Sequence, residues 1–132
     1  MHRSYEMTRN WLLESGISVS NSSDQNHGGV HSFFDEKKNE FAFLYPEITG
    51  YFISTMRFLY EHEKNEKFVK LAKASSNWLI QLYEKHGGII QGISRQGVPQ
   101  TLAYSFDTGI CSKGLLDCFA ITKEERFLEY AK

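Results

Sequence analysis

Tyr45-Pro46-Glu47-Ile48-Thr49-Gly50-Tyr51 returns, loosened, as Tyr104-Ser105-Phe106-Asp107-Thr108-Gly109-Ile110, 59 residues further along the chain. Upstream, at the same spacing, His27-Gly28-Gly29-Val30 is answered by His86-Gly87-Gly88-Ile89. Downstream, the register runs through Lys64/Lys123, Glu66/Glu125, Phe68/Phe127, Ala72/Ala131 and Lys73/Lys132. Residues 27–73 and 86–132 share 11 of 47 positions without a gap. A weaker match pairs Asn10-Trp11-Leu12 with Asn77-Trp78-Leu79 at an offset of 67, the extra eight residues falling in the Ser/Asn-rich stretch 18–26. A repeat of this length built from helical segments points to stacked helical hairpins, each too small to bury its own apolar face.

The local signals agree. Pro46 suits the first turn of a helix, where its missing N–H is no loss. Ile48, Tyr51, Phe52, Met56, Leu59 and Tyr60 then recur at helical spacing. Phe68, Leu71, Ala72, Ser75, Leu79 and Leu82 form the stripe of a second helix that should stop at Gly87-Gly88. Residues 88–103 lack a helical period, and short extended stretches are expected near 29–34 and 88–93. A third helix is predicted from about Phe106 to Ala120, and a fourth from near Lys123, cut off at Lys132. An N-terminal helix is predicted over about 3–15. Gly50 inside a helix costs about 1 kcal/mol against Ala. Its return as Gly109 suggests that a neighbour, helix or ligand, comes close there. The fold class expected is all-α: one domain, 1–132, of antiparallel helical hairpins with repeat units 27–85 and 86–132. In that register the next Trp-Leu pair would come near position 137. The mixed-charge segment Asp35–Glu40 reads as a solvated tip. The aromatic run Phe41–Tyr45 needs cover, which favours self-association or a missing C-terminal segment.

Composition narrows the function by exclusion. Among 132 residues, 15 Lys+Arg against 16 Asp+Glu give a formal charge of -1, which argues against a nucleic-acid partner. No apolar run approaches the roughly 20 residues that span a bilayer, and Met1–Glu6 begins no secretory signal. Cys111 and Cys118, two helical turns apart, lie roughly 10 Å from one another. They read as buried thiols of a reducing, cytoplasmic setting rather than as a disulfide. His27 and His31 are separated by Gly28-Gly29, which argues against a shared helix face and a metal pair. His27 and His86 read as helix-end caps, and His62 as solvated. Neither a phosphate-binding glycine loop nor a Gly-x-Ser-x-Gly elbow occurs, so no cofactor is expected.

The order of these pieces resembles the (α/α) toroid proteins of carbohydrate metabolism: six-hairpin glycosidases, unsaturated uronyl hydrolases, polysaccharide lyases and sugar 2-epimerases. The pieces are a glycine turn, Tyr45–Tyr51, a helix pair with Trp78-Leu79, Gly87-Gly88 and Phe106–Gly109. The resemblance covers most of residues 8–132. It implies an arc of such a toroid and a cleft at one pole, lined by loops and inner-helix starts, that takes an oligo- or polysaccharide. Repeat position places Glu47 and Asp107 near those starts as the acid/base candidates for glycoside cleavage. Their alternative role is to neutralise the positive helix N-terminus. Tyr45, Tyr51 and Tyr104 are the candidate sugar-stacking residues. Trp11 and Trp78 read as packing residues. Such relatives close a ring of about six hairpins, so this length implies a half-built site and no catalysis by the chain alone. The competing function is a helical-repeat module that binds a protein without enzymatic activity.

Overall fold

The computed structural model describes residues 2–132. Five helices dominate: α1 (His2–Glu14), α2 (Pro46–Glu63), α3 (Glu66–His86), α4 (Ser105–Thr122) and α5 (Glu125–Tyr130). Two small antiparallel ribbons precede α2 and α4: β1 (Phe34–Asp35) with β2 (Glu40–Phe41), and β3 (Gly92–Ile93) with β4 (Pro99–Gln100). The fold is all-α, and its antiparallel helical hairpins form an open arc.

Capping chemistry sets the helix bounds. Pro46 occupies the first turn of α2, and Lys64 closes it in the left-handed region (φ 55°), its N–H donating to the Tyr60 carbonyl at 2.8 Å. Asn65 then caps α3, accepting from the Lys67 N–H at 3.0 Å. Two residues therefore suffice to reverse the chain. The second unit repeats the device: Lys123 ends α4 at φ 60°, donating to the Phe119 carbonyl. A left-handed lysine is strained relative to glycine, and each is held with its ammonium about 6 Å from a ring centroid, over Tyr60 and over Phe119. At the N-termini, Thr49 and Thr108 each donate their hydroxyl to the carbonyl of Tyr45 and Tyr104. Gly87 ends α3 at φ 71°, as a glycine after the last helical turn should.

The core runs between the helices. Phe52, Ile53, Met56 and Leu59 of α2 meet Phe68, Ala72, Trp78, Leu79 and Leu82 of α3, with Cys111, Leu115 and Cys118 of α4 and Phe127 of α5. Phe68 and Phe127, a repeated pair, are each 1% exposed. Both cysteines are buried and free. Two readings of the sequence need correction. Trp11 is 50% exposed, so it does not share the packing role of Trp78. His27 caps no helix; it sits in a turn with Nδ1 3.1 Å from the Val19 carbonyl, and His31 Nδ1 likewise approaches the Ala42 carbonyl. The short extended stretches expected near 29–34 and 88–93 are present as bridges at Val30 and His31, the start of β1 at Phe34 and β3 at Gly92–Ile93. Each ribbon is completed by a partner strand, β2 or β4, across its turn.

The α2–α4 contact depends on two glycines. A Cβ on Gly50 would sit 2.7 Å from the Ile110 carbonyl oxygen, and one on Gly114 would sit 2.9 Å from that of Gly50. The backbones thus meet with no side chain between them. Gly109, the repeat partner of Gly50, has no heavy atom within 4 Å of such a Cβ. Beyond the glycines, Asp117 ties the helices together: its carboxylate accepts from Arg57 at 2.8 Å, Lys113 at 2.6 Å and Ser54 at 2.5 Å. Burial raises its pKa, but these donors outweigh burial and hold the carboxyl below its usual range.

The two repeated glycines should respond oppositely to one methyl group. Gly50→Ala is expected to destabilise by about 1–3 kcal/mol through overpacking. Gly109→Ala is expected to stabilise by about 0.5–1 kcal/mol through helix propensity. Urea midpoints of the two variants check both signs.

Candidate functional site

The first turns of α2 and α4 lie side by side. The Cys111 thiol of α4 contacts the Pro46 carbonyl of α2 at 3.3 Å, so the two N-termini open at the same end of the arc. The contacts Gly50–Ile110, Ser54–Lys113 and Arg57–Asp117 follow in order along both helices, which therefore run parallel. Two positive helix ends are thus adjacent, and each carries an acid in its first turn, Glu47 and Asp107.

These acids interact although their repeat positions differ by one. The repeat partner of Asp107 is Ile48, and that of Glu47 is Phe106. In parallel neighbours, identical positions point the same way in space rather than towards each other. One residue of offset turns a side chain by about 100°, and the charge of Glu47 acts on Asp107. Tyr45 stands at the N-cap of α2 with extended backbone (φ -125°), directly before Pro46 and two residues before Glu47. The influence of Glu47 on its hydroxyl, followed by burial and the charge of Asp107, pushes the phenol well above its ordinary pKa.

Asp107 is 4% exposed, and its Oδ2 is buried without a hydrogen-bond partner. Burial is the largest cause raising its pKa and the charge of Glu47 the next, with Tyr45 opposing. One carboxyl is therefore biased towards its protonated form beside a half-buried second one. Such environmental separation is the usual basis for dividing acid and base roles. Cys111, one turn after Asp107, is pushed up to about 12 by burial and then by both acids, which leaves its thiol a poor nucleophile. Among the described residues, no group of three or more His, Cys, Asp or Glu is placed to hold a metal.

The structure thus gathers Tyr45, Glu47 and Asp107 and leaves two sequence candidates outside. Tyr51 lies in a separate shallow cleft with Trp11, Leu12, Ile48 and Thr55. Tyr104, at the N-cap of α4, is 46% exposed. Phe106, an aromatic of the same first turn, is 62% exposed directly before Asp107. No described helix is long and apolar enough to cross a membrane.

No family model matches the chain, and no curated protein matches it in sequence. Among solved structures, the fold is similar to that of a GH76 alpha-mannanase of Bacteroides thetaiotaomicron, with a TM-score of 0.55 and 19% identity. The match covers 65% of this chain and 24% of that one, so this chain corresponds to about a quarter of that enzyme's length. At that identity the likeness is one of fold: a helical-hairpin arc of the kind from which that glycoside hydrolase is built.

Proposed function

We propose that the chain is a carbohydrate-active (α/α)-toroid domain of glycosidase- or lyase-like type, whose sugar site is the end of the arc where α2 and α4 begin. The observation that carries this reading is the buried, unpartnered carboxyl oxygen of Asp107 at the adjacent starts of α2 and α4, where the charge of Glu47 also acts on it. Glycoside cleavage needs one carboxylic acid to protonate the leaving oxygen and one carboxylate to act as base or nucleophile. Asp107, biased towards protonation, is assigned the first role and Glu47 the second. Tyr45 supplies a hydroxyl for a sugar oxygen. Tyr104 offers an exposed ring at the rim, and Tyr51 with Trp11 a second apolar surface further along α2. The similar fold of an alpha-mannanase makes α-linked manno-oligosaccharides the first ligands to try. An arc leaves a sugar open to water on one side, so this reading makes binding the primary activity and turnover by the chain alone a secondary one.

Two measurements follow. In a thermal-shift titration against oligosaccharides, saturating ligand is expected to raise Tm by a few degrees, since 100-fold excess over Kd stabilises by about 2.7 kcal/mol. Tyr45→Phe and Glu47→Gln should each weaken binding at least about tenfold, the size of one charge-assisted hydrogen bond. Absence of a shift with every neutral and acidic glycan overturns the reading. The second measurement concerns the acid. A carboxyl with a raised folded pKa contributes stability below its unfolded pKa, and that contribution is lost as pH rises through the folded value. Asp107→Asn is therefore expected to be more stable than the parent at pH 7. That advantage should disappear as pH falls below about 4. Unfolding curves of parent and variant from pH 3 to 8 check the crossover.

A further inference from the structure

Trp11 is the repeat counterpart of Trp78, and the two indoles have opposite surroundings. Trp78 is 1% exposed; a Cβ on Gly29 would sit 2.9 Å from its ring, and its indole N–H donates to Asn26 at 3.4 Å. Trp11 is 50% exposed, yet it is held in place. Arg9 donates to both oxygens of Glu63 at 3.1 Å, and the Tyr5 hydroxyl donates to the same carboxylate at 2.7 Å. These bonds fasten the start of α1 to the end of α2. The two helices therefore run antiparallel, and Trp11 arrives beside Tyr51 and Thr55.

There it borders a shallow cleft of about 260 Å³, shared with Ile48, Tyr51, His31 and Ser32. At 100° per residue, Ile48, Tyr51 and Thr55 fall on one side of α2, while Gly50, Ser54 and Arg57, which meet α4, fall on the other. The cleft is thus separated from the paired acids by the body of the helix.

Its chemistry also differs from that of the larger hollows. The cleft against α5 carries Glu129 and Lys132, and the one along α3 carries Asp24, Lys70 and Lys73. Among the described residues lining the Trp11 cleft, none is Asp, Glu, Lys or Arg, so an ionic ligand finds no counter-charge. Trp11 and Tyr51, 50% and 43% exposed, offer two apolar ring faces. The polar groups are few and oriented. His31 Nδ1 lies 2.7 Å from the Ala42 carbonyl, which can only accept, so Nε2 of the neutral ring is left as an acceptor. Stacking on Phe41, with centroids 5.1 Å apart, fixes the direction of that ring. Ser32 has its Oγ buried without a partner, a costly state that a turn about χ1 can relieve against a ligand hydroxyl. A hydrocarbon would cover the rings and leave both polar groups unanswered. A neutral sugar has a C–H face for the rings and a rim of hydroxyls that donate and accept.

We propose that the Trp11–Tyr51 cleft is a second binding site, for a neutral pyranose unit, independent of the acids at the starts of α2 and α4. It rests on the carbohydrate reading above for its ligand class alone. The test uses the fluorescence of the intact chain, whose two tryptophans are Trp11 and the buried Trp78. Methyl α-mannoside or methyl β-glucoside is expected to shift the emission saturably and to protect it from acrylamide. Tyr51→Ala and Ser32→Ala should each weaken that titration about three- to tenfold, the loss of one ring contact or one hydrogen bond. Trp11→Phe should abolish the emission change, and Tyr45→Phe and Glu47→Gln should leave it as it is. No saturable change with either glycoside, a change that survives Trp11→Phe, or equal binding of hexanol or galacturonate overturns the proposal. A titration lost in Glu47→Gln also overturns it, by giving the sugar to the acids, and leaves the carbohydrate reading standing. If every glycan response survives Tyr45→Phe and Glu47→Gln but falls with Tyr51→Ala, this site stands and the acid site falls.

Discussion

Everything in this molecule turns on two helices brought closer than side chains allow. Gly50 and Gly114 let the α2 and α4 backbones touch, and that approach fixes both the lateral spacing of the hairpins and the alignment of their N-termini. Helix packing normally leaves 8–10 Å between axes, set by the residues at the contact. Removing those residues at one crossing draws the first turns together, so that the charges of Glu47 and Asp107 act on each other and on Tyr45. The Asp117 cluster fixes the same pair of helices further along with directional bonds. Dispersion and burial set how close the helices come; the ion pairs set how far they slide.

Much of this was legible in the sequence because the repeat states it twice. Helix starts at Tyr45-Pro46 and Tyr104-Ser105, the stop at Gly87, and the burial of Phe68 with Phe127 follow from patterns with local physical causes. The repeated lysines were visible as identities, yet their reason, left-handed caps steadied over aromatic rings, was not, since ordinary turn chemistry reserves that conformation for glycine. The repeat also misled. It singled out Gly109 as the mate of Gly50, whereas Gly50 meets Ile110 and Gly114. A repeat reports which positions are equivalent, but two adjacent units press unlike faces together.

The site shows the same limit. Glu47 and Asp107 were recognisable as first-turn acids. That the charge of one acts on the other depends on the parallel packing of α2 and α4, which a repeat does not state. Tyr51 and Tyr104 shared the composition expected of a sugar platform, but helix phase carries Tyr51 to the α1 side and leaves Tyr104 at the rim. Trp11 matched Trp78 by its neighbours while lacking the glycine turn that encloses Trp78. Burial is a property of what lies opposite, and for these residues the opposing surface comes from distant sequence.

The short link at Lys64-Asn65 has a kinetic consequence. Contacts between α2 and α3 close a loop of two residues, so that hairpin can form by local zippering. The α2–α4 crossing joins positions about sixty residues apart in sequence, and its loop-closure entropy must be met before any of its contacts contribute. Where the two backbones touch, at Gly50 and Gly114, dispersion is gained only at contact. Docking of the second unit is thereby expected to follow formation of the first hairpin, and the two first-turn acids are brought together only by that docking.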